Sequence, residues 1–351
     1  MVNPYRSLPD TAFWKRSVVT PAEAEVDPVV AAPFRIGKDD RIATAGSCFA
    51  QHISRTLARL GYDYMVTEPG PADRNYGVFP ARFGNIYTVR QLLQTFDRAY
   101  GLFRPQTSVW RRADGTYVDP FRPQIEPAGF GSQAVLEADR RQHLACVRDM
   151  FESCDVFIFT LGLTETWTST RDGAVFPVAP GVCGGEPGPS YAFHNLDVAE
   201  MTADLNAFLR KLRTVNPDVR VILTVSPIPL IATYEPRHVL VANTYSKAAL
   251  RVVAEETVRA DPRTAYFPSY EIVTGPQARG RYFAEDLRSV TEAGVTRVMD
   301  LFAQHYLTDR RESAAIAPAR AAPAPAPLAE ADHHRFEELA AVVCEDEALD
   351  S

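Results

Sequence analysis

The chain has 351 residues, 46% hydrophobic and 23% charged, the make-up of a globular protein with ample surface to bury. A formal net charge of −7 with no Lys/Arg run gives no general attraction to phosphate backbones, so nucleic acid is not an expected partner. The five cysteines, Cys48, Cys146, Cys154, Cys183 and Cys344, include no C-x-x-C pair, which argues against a zinc ribbon or a disulfide framework and for a reducing compartment.

Residues 1–19 lack the apolar stretch of a signal peptide, and no segment reaches the roughly 18 apolar residues of a membrane span, so a cytoplasmic location is expected. The first strand expected is 41–45, closed by Gly46 and followed by a helix over 49–60 with Ile53, Leu57 and Leu60 on one face. A short strand follows at 62–67 and a helix at 89–100. Residues 109–131 carry Asp114-Gly115 and several prolines and read as a hairpin or loop over the sheet edge.

A helix over 134–151 leads into 155–161, a continuous apolar run of the kind found where both faces of a sheet are covered. Residues 167–189, with Asp172-Gly173, read as a second insertion. A helix at 198–215, a break at Asn216-Pro217-Asp218, a strand at 219–225, a helix at 245–259, a strand at 264–267 and a helix at 292–306 complete the alternation. The pattern predicts an α/β fold: a doubly wound, mostly parallel five-stranded sheet with helices on both faces and hairpin or loop insertions.

After about residue 311 the composition turns to Ala and Pro, so the folded domain is expected over 1–312, an extended linker over 313–328 and an acidic tail over 329–351. Residues 333–343 have the spacing of a short amphipathic helix, whose protein partner is left open.

In open α/β sheets ligands bind outside the carboxyl ends of the strands, which selects the residues just after each one. Those are Gly46-Ser47-Cys48, Gly162-Leu163-Thr164-Glu165, Ser226-Pro227-Ile228-Pro229 and the loop leading to Asp286. At the first, glycine allows a tight turn, and the free N–H groups of the following helix would favour an anion. A thiol at Cys48 would gain thiolate there, whereas Ser47 needs a base. The plainer reading of the same spacing is a Gly-Ser helix cap with Cys48 as a small buried filler.

Gly46-Ser47-Cys48-Phe49-Ala50 resembles the signature of the bacterial GSCFA family, which in turn resembles the GDSL/SGNH hydrolases. Supporting the resemblance are Asn3-Pro4-Tyr5-Arg6, Phe13-Trp14, Tyr76-Gly77-Val78-Phe79, Phe83-Gly84-Asn85-Ile86-Tyr87, Leu161 to Trp167, Thr224 to Pro227, Asn243 and Ser246-Lys247. It implies an SGNH/flavodoxin-like fold and an esterase or acyltransferase acting on a small-molecule or carbohydrate ester. It would put Cys48 in the nucleophile position and Ser47 where an aspartate usually sits, with an oxyanion contact from Gly84 or Asn85. Gly162 to Glu165 would match the Gly-x-Asn-Asp block, Thr164 replacing its asparagine. The Asp-x-x-His motif would fall on Asp286 to Ser289, which leaves serine where the catalytic histidine is expected.

Seven histidines bound the search for a substitute. His238, expected in the loop before the 245–259 helix, ranks first. His194 follows, and His52 lies one helical turn beyond Cys48. His143 and His305 sit inside helical patterns, and His333 and His334 belong to the tail, where an adjacent pair is a weak metal motif. Each alone also reads as an ordinary surface or core histidine. Asp286 and Glu165 could pair as acid and base, although a capped turn for Asp286 and a backbone or arginine partner for Glu165 are the simpler expectations. Tyr76, Phe79, Phe83 and Tyr87 fit either a binding wall or the core. No Walker loop, G-x-G-x-x-G or H-E-x-x-H occurs, so no cofactor and no metal are expected. A catalytically degenerate module that binds a glycan or small anion is the alternative to an enzyme.

Overall fold

The computed structural model describes residues 3–71 and 74–308, so the linker, the acidic tail, His333, His334 and Cys344 lie outside the described residues. In chain order the elements are β1 (Ile42–Gly46), α1 (Ala50–Arg59), α2 (Val89–Ala99), β2 (Trp110–Arg111), β3 (Tyr117–Val118), α3 (Gln133–Ser153), β4 (Val156–Leu161), β5 (Glu165–Ser169), β6 (Val175–Phe176) and β7 (Tyr191–Asn195). They continue with α4 (Val198–Val215), β8 (Arg220–Val225), α5 (Val239–Ala260), β9 (Thr264–Tyr266), α6 (Ser269–Thr274) and α7 (Glu292–Tyr306).

The centre is a four-stranded parallel sheet in the order β1-β4-β8-β9. Alternate residues of its strands point to opposite faces, so a strand buried on both sides must be apolar throughout. Ala43, Ala45, Phe157, Phe159, Val221 and Leu223 pack with α2, α3, α4 and α5, through side chains such as Leu92, Met150, Leu205 and Leu250. On the other face Ile42, Val156, Ile158 and Ile222 meet Phe49, Ile53 and Leu57 of the α1 segment and Val298 and Phe302 of α7.

Local sequence sets the helix starts. Thr88, Ser132 and Thr291 each accept a first-turn N–H, and Asp197 with Glu200 forms a full capping box, the arrangement that satisfies otherwise orphaned donors.

The structure differs from expectation at several places, α6 among them. The strand expected at 62–67 is reduced to one bridge, Tyr64 to Ile42 beside β1, because the chain turns away at once and Thr67 N donates to Pro80 O. The sheet is therefore four-stranded rather than five-stranded. The helix α5 begins at Val239, six residues earlier than its apolar spacing predicts, with His238 as its cap. Both insertions contain hairpins, β2 with β3 around Asp114-Gly115 and β5 with β6 around Asp172-Gly173, and β7 unexpectedly adds a third strand to the second. The insertions share a small core of Trp110, Val118, Phe121, Phe176 and Val178.

Candidate functional site

β1 and β4 end side by side, and their tips carry the candidate residues. Gly46 pairs with Thr160 across the ladder at φ +140°, and a Cβ there would stand 2.4 Å from Thr160 O, so this position admits glycine alone. Ile86 N then donates to Gly46 O at 2.9 Å, while Gly162 N and Leu163 N both donate to Tyr87 O. The segment 84–87 thus crosses the gap between the two strand tips. It is braced by Gln91, whose side chain accepts from Tyr87 N and donates to Asn85 O, and by Gln51, which donates to Asn85 Oδ1.

Beneath this crossing Ser47 is only 4% exposed and its Oγ has no hydrogen-bond partner among the described residues. A Cβ on Gly162 would lie 3.1 Å from Ser47 Cβ, so the glycine makes room for the serine. The Oγ1 atoms of Thr160 and Thr164 are likewise buried and unpartnered. Burying a hydroxyl with no partner costs about 1–3 kcal/mol, and a cluster of three calls for an explanation. From α5, Ser246 Oγ accepts Thr164 N at 3.2 Å and Lys247 Nζ donates to Gly162 O at 2.8 Å, although Lys247 is only 1% exposed.

The structure therefore gathers Gly46, Ser47, Gly84, Asn85, Gly162 and Thr164 at one crevice, with Cys48, buried and reduced, immediately beyond Ser47. The free helix-end N–H groups expected there are largely taken. Phe49 supplies no side-chain cap to α1, and the N–H groups of Ala50, Gln51 and His52 donate instead to the carbonyls of Ser47, Cys48 and Phe49.

The remaining candidates are not hydrogen-bonded into this crevice. Glu165 opens β5 and is occupied by Thr233 Oγ1 at 2.6 Å and Tyr234 N at 3.1 Å. His238 is exposed, and its Nδ1 accepts Leu240 N as the α5 cap. It precedes Ser246 by eight residues, about 12 Å along the helix axis. Asp286 is exposed and closes its own turn, accepting Arg288 N, Ser289 N and Ser289 Oγ, which depress its pKa, the Ser289 hydroxyl most.

His194 bonds Glu200, and His305 bonds Asp27. His52 packs on Phe49, and burial, then the Arg55 charge, lower its pKa to about 4. Phe79 and Phe83 pack in the core, while Tyr76 lies under the Arg82 guanidinium. No three potential metal ligands converge among the described residues, and no helix among them is long and apolar enough to cross a membrane.

A pocket with room for about one water, 30 Å³, opens beside the crossing segment, lined by Gln51, Gly84, Asn85 and Arg82 and extending to Asn75 and Gln124. Sequence reasoning missed Gln51, Arg82 and Lys247 as site residues. A lysine in an amphipathic helix reads as solvated, and nothing local betrays that its amine reaches a carbonyl 85 positions away.

A parallel sheet with helices on both faces and a polar crevice between two strand tips defines an α/β protein of the kind whose ligands bind at such tips. The chain belongs to the GSCFA family: the GSCFA family model matches residues 41–302, from the edge of β1 into α7, and so takes in the whole crevice. No curated protein matches the chain.

Proposed function

We propose that this protein is an SGNH-like acyl-ester hydrolase or acyltransferase in which Ser47 is the nucleophile. The observation that carries this reading is the unpartnered Ser47 hydroxyl, held beside Gly162 with the unpartnered Thr164 hydroxyl in the same crevice. Polar groups left unsatisfied in a dry site are available to a reacting ester. Fold supports the reading too: counting the Tyr64 bridge as a vestigial second strand, the order becomes 2-1-3-4-5, and the crevice lies at the switch point where the order reverses.

The missing histidine is replaced, in this reading, by Lys247 rather than His238. Both groups adjoin Gly162: Lys247 Nζ donates to its carbonyl, and a Cβ built on it would lie 3.1 Å from Ser47 Cβ. Serine–lysine pairs recur as nucleophile and base on unrelated folds. Ser47 Oγ attacks the ester carbonyl as its proton passes to the Lys247 amine, and the Thr164 hydroxyl donates to the developing oxyanion. The departing alcohol takes the proton back. Water or an acceptor hydroxyl then releases the acyl group, and the choice between them separates hydrolase from transferase.

A second reading, a module that binds a glycan or small anion without turnover, is favoured by one observation. Where the superfamily motif has histidine, Ser289 donates to Asp286 and closes that pair on itself. Hydrolysis of p-nitrophenyl butyrate separates the two. Catalysis predicts turnover lost in Ser47→Ala and reduced in kcat by roughly 10²–10⁴ in Lys247→Met, with Cys48→Ala and His238→Ala unaffected. Turnover that survives Ser47→Ala overturns Ser47 as the nucleophile, and no turnover in the wild type supports the module instead.

A further inference from the structure

A wide cleft of about 640 Å³ lies between the β2–β3 hairpin and the loop 181–185, within the size range of small-ligand sites. It shares Asn75 and Gln124 with the small pocket beside Gly84 and Asn85, so the two adjoin on the side of the crossing segment. Its charge is one-sided. Arg111 and Arg112 line it and, among the described residues, no acidic residue does, in a chain whose formal net charge is −7.

Local sequence explains how the arginines reach the cleft. In β2 Trp110 points inward and is 2% exposed, so Arg111, its neighbour, must point out. The loop follows this edge: Gly185 N donates to Arg111 O, and Gly185, at φ +76°, lies so close to the Trp110 ring that a Cβ would stand 3.0 Å from it. Arg112 is held by two carbonyls, donating through Nε to Cys183 O at 3.3 Å and through Nη1 to Pro127 O at 2.7 Å. Neither guanidinium forms an ion pair among the described residues, and the nearby Glu126 is committed to Arg82 and Arg74. A guanidinium fork matches the paired oxygens of a carboxylate or phosphate, and a cation outside any ion pair in a cleft favours such a group.

We propose that this cleft is a subsite for an anionic ligand segment, carboxylate- or phosphate-bearing, with Arg111 its principal contact and Arg112 fixing the wall. Calling that ligand the substrate rests on the esterase reading above; the binding site itself does not. The inference gives the substrate a class: an ester whose reactive end lies at Ser47 and whose anionic end lies in the arginine cleft.

Calorimetry with trigalacturonate and with inorganic tripolyphosphate, against neutral maltotriose, tests the site on the full chain. At least one anion should bind one-to-one while maltotriose does not; Arg111→Glu should weaken that binding roughly ten- to hundred-fold, Arg111→Lys less, and Ser47→Ala not at all. Which anion binds distinguishes carboxylate from phosphate recognition. Arg111 is exposed, so an unchanged melting temperature verifies that the variant folds. Binding of neither anion, or equal affinity of wild type and Arg111→Glu, overturns the subsite. In a parallel arm, Arg111→Glu should raise KM for mono-p-nitrophenyl succinate but not for p-nitrophenyl butyrate. If neither ester turns over, the esterase reading fails while the calorimetry still decides the subsite.

Discussion

Two buried polar clusters are built on opposite principles. In the first, Arg82 and Arg122, both nearly inaccessible, meet Asp119, Asp139 and Glu126, with Arg140 and the His143–Glu68 pair completing the group. Against the cost of burial, Arg140, Arg122 and Arg98 hold the Asp119 carboxyl well below the usual range. Arg82, Arg122, Arg140, Asp119, Asp139 and Glu126 are all ion-paired there, and Arg82 also donates to Arg74 O and Ile125 O, which ties the start of the crossing segment to the hairpin insertion. In the second cluster Ser47, Thr160 and Thr164 hold hydroxyls with no hydrogen-bond partner among the described residues. A satisfied network specifies structure, whereas an unsatisfied one, retained at a cost, marks a place kept ready for something else.

Substitutions should therefore move the two clusters in opposite directions. The largest effect is expected at Asp119→Ala, which strips Arg122 and Arg140 of their shared carboxylate; breaking a buried pair in this way costs about 3–5 kcal/mol, read as a lower urea midpoint.

Acid comes next. Burial, then the Arg122 charge, lower the His143 pKa from 6.5 to about 4 although Glu68 opposes them, and His52 falls to about 4 as well. Between those values the unfolded chain binds protons that the folded one refuses. Stability should hold above about pH 6.5, decline as pH falls and flatten for these groups near pH 4, with Asp119 extending the loss at lower pH. His143→Gln should shrink that slope, and an unchanged slope would contradict the assignment.

The smallest effect belongs to the second cluster. Thr164→Val removes a hydroxyl without a partner, so stability should stay level or rise by about 1 kcal/mol, while ester turnover falls roughly 10²-fold. A Thr164→Val protein that is clearly destabilised would show that its hydroxyl is satisfied after all, and would erase the contrast between the clusters.

The same contrast separates what the sequence discloses from what it conceals. β4 and β8 are legible because strands covered on both faces must be apolar end to end, and α4 and α7 are legible to their ends because Asp197 with Glu200 and Thr291 write the caps. The strand at 62–67 misleads because pairing is decided by where the chain goes next, and Thr67 is drawn to Pro80. The start of α5 is hidden because Leu240 and Val241 are exposed and break the apolar spacing.

At the site, Gly46, Ser47, Gly84, Asn85, Gly162 and Thr164 could be named in advance because they follow strand ends or carry the family's motifs. Lys247 falls in a family motif, Ser246-Lys247, but its contact with Gly162 O, like the setting of Arg111 in its cleft, depends on segments distant in sequence. His238 and Asp286 sit on the right side of the chain's alternation but satisfy themselves locally, one as a helix cap and the other in a turn. Proximity to a strand end does not tell whether a side chain is already spent.

The most direct test of the central claim is to treat the protein with a fluorophosphonate and map the adduct by peptide mass spectrometry. The account predicts a single modification on Ser47, absent from Ser47→Ala, present in Cys48→Ala and slowed in Lys247→Met. A protein that stays unlabelled, or an adduct found on any other residue, would contradict it.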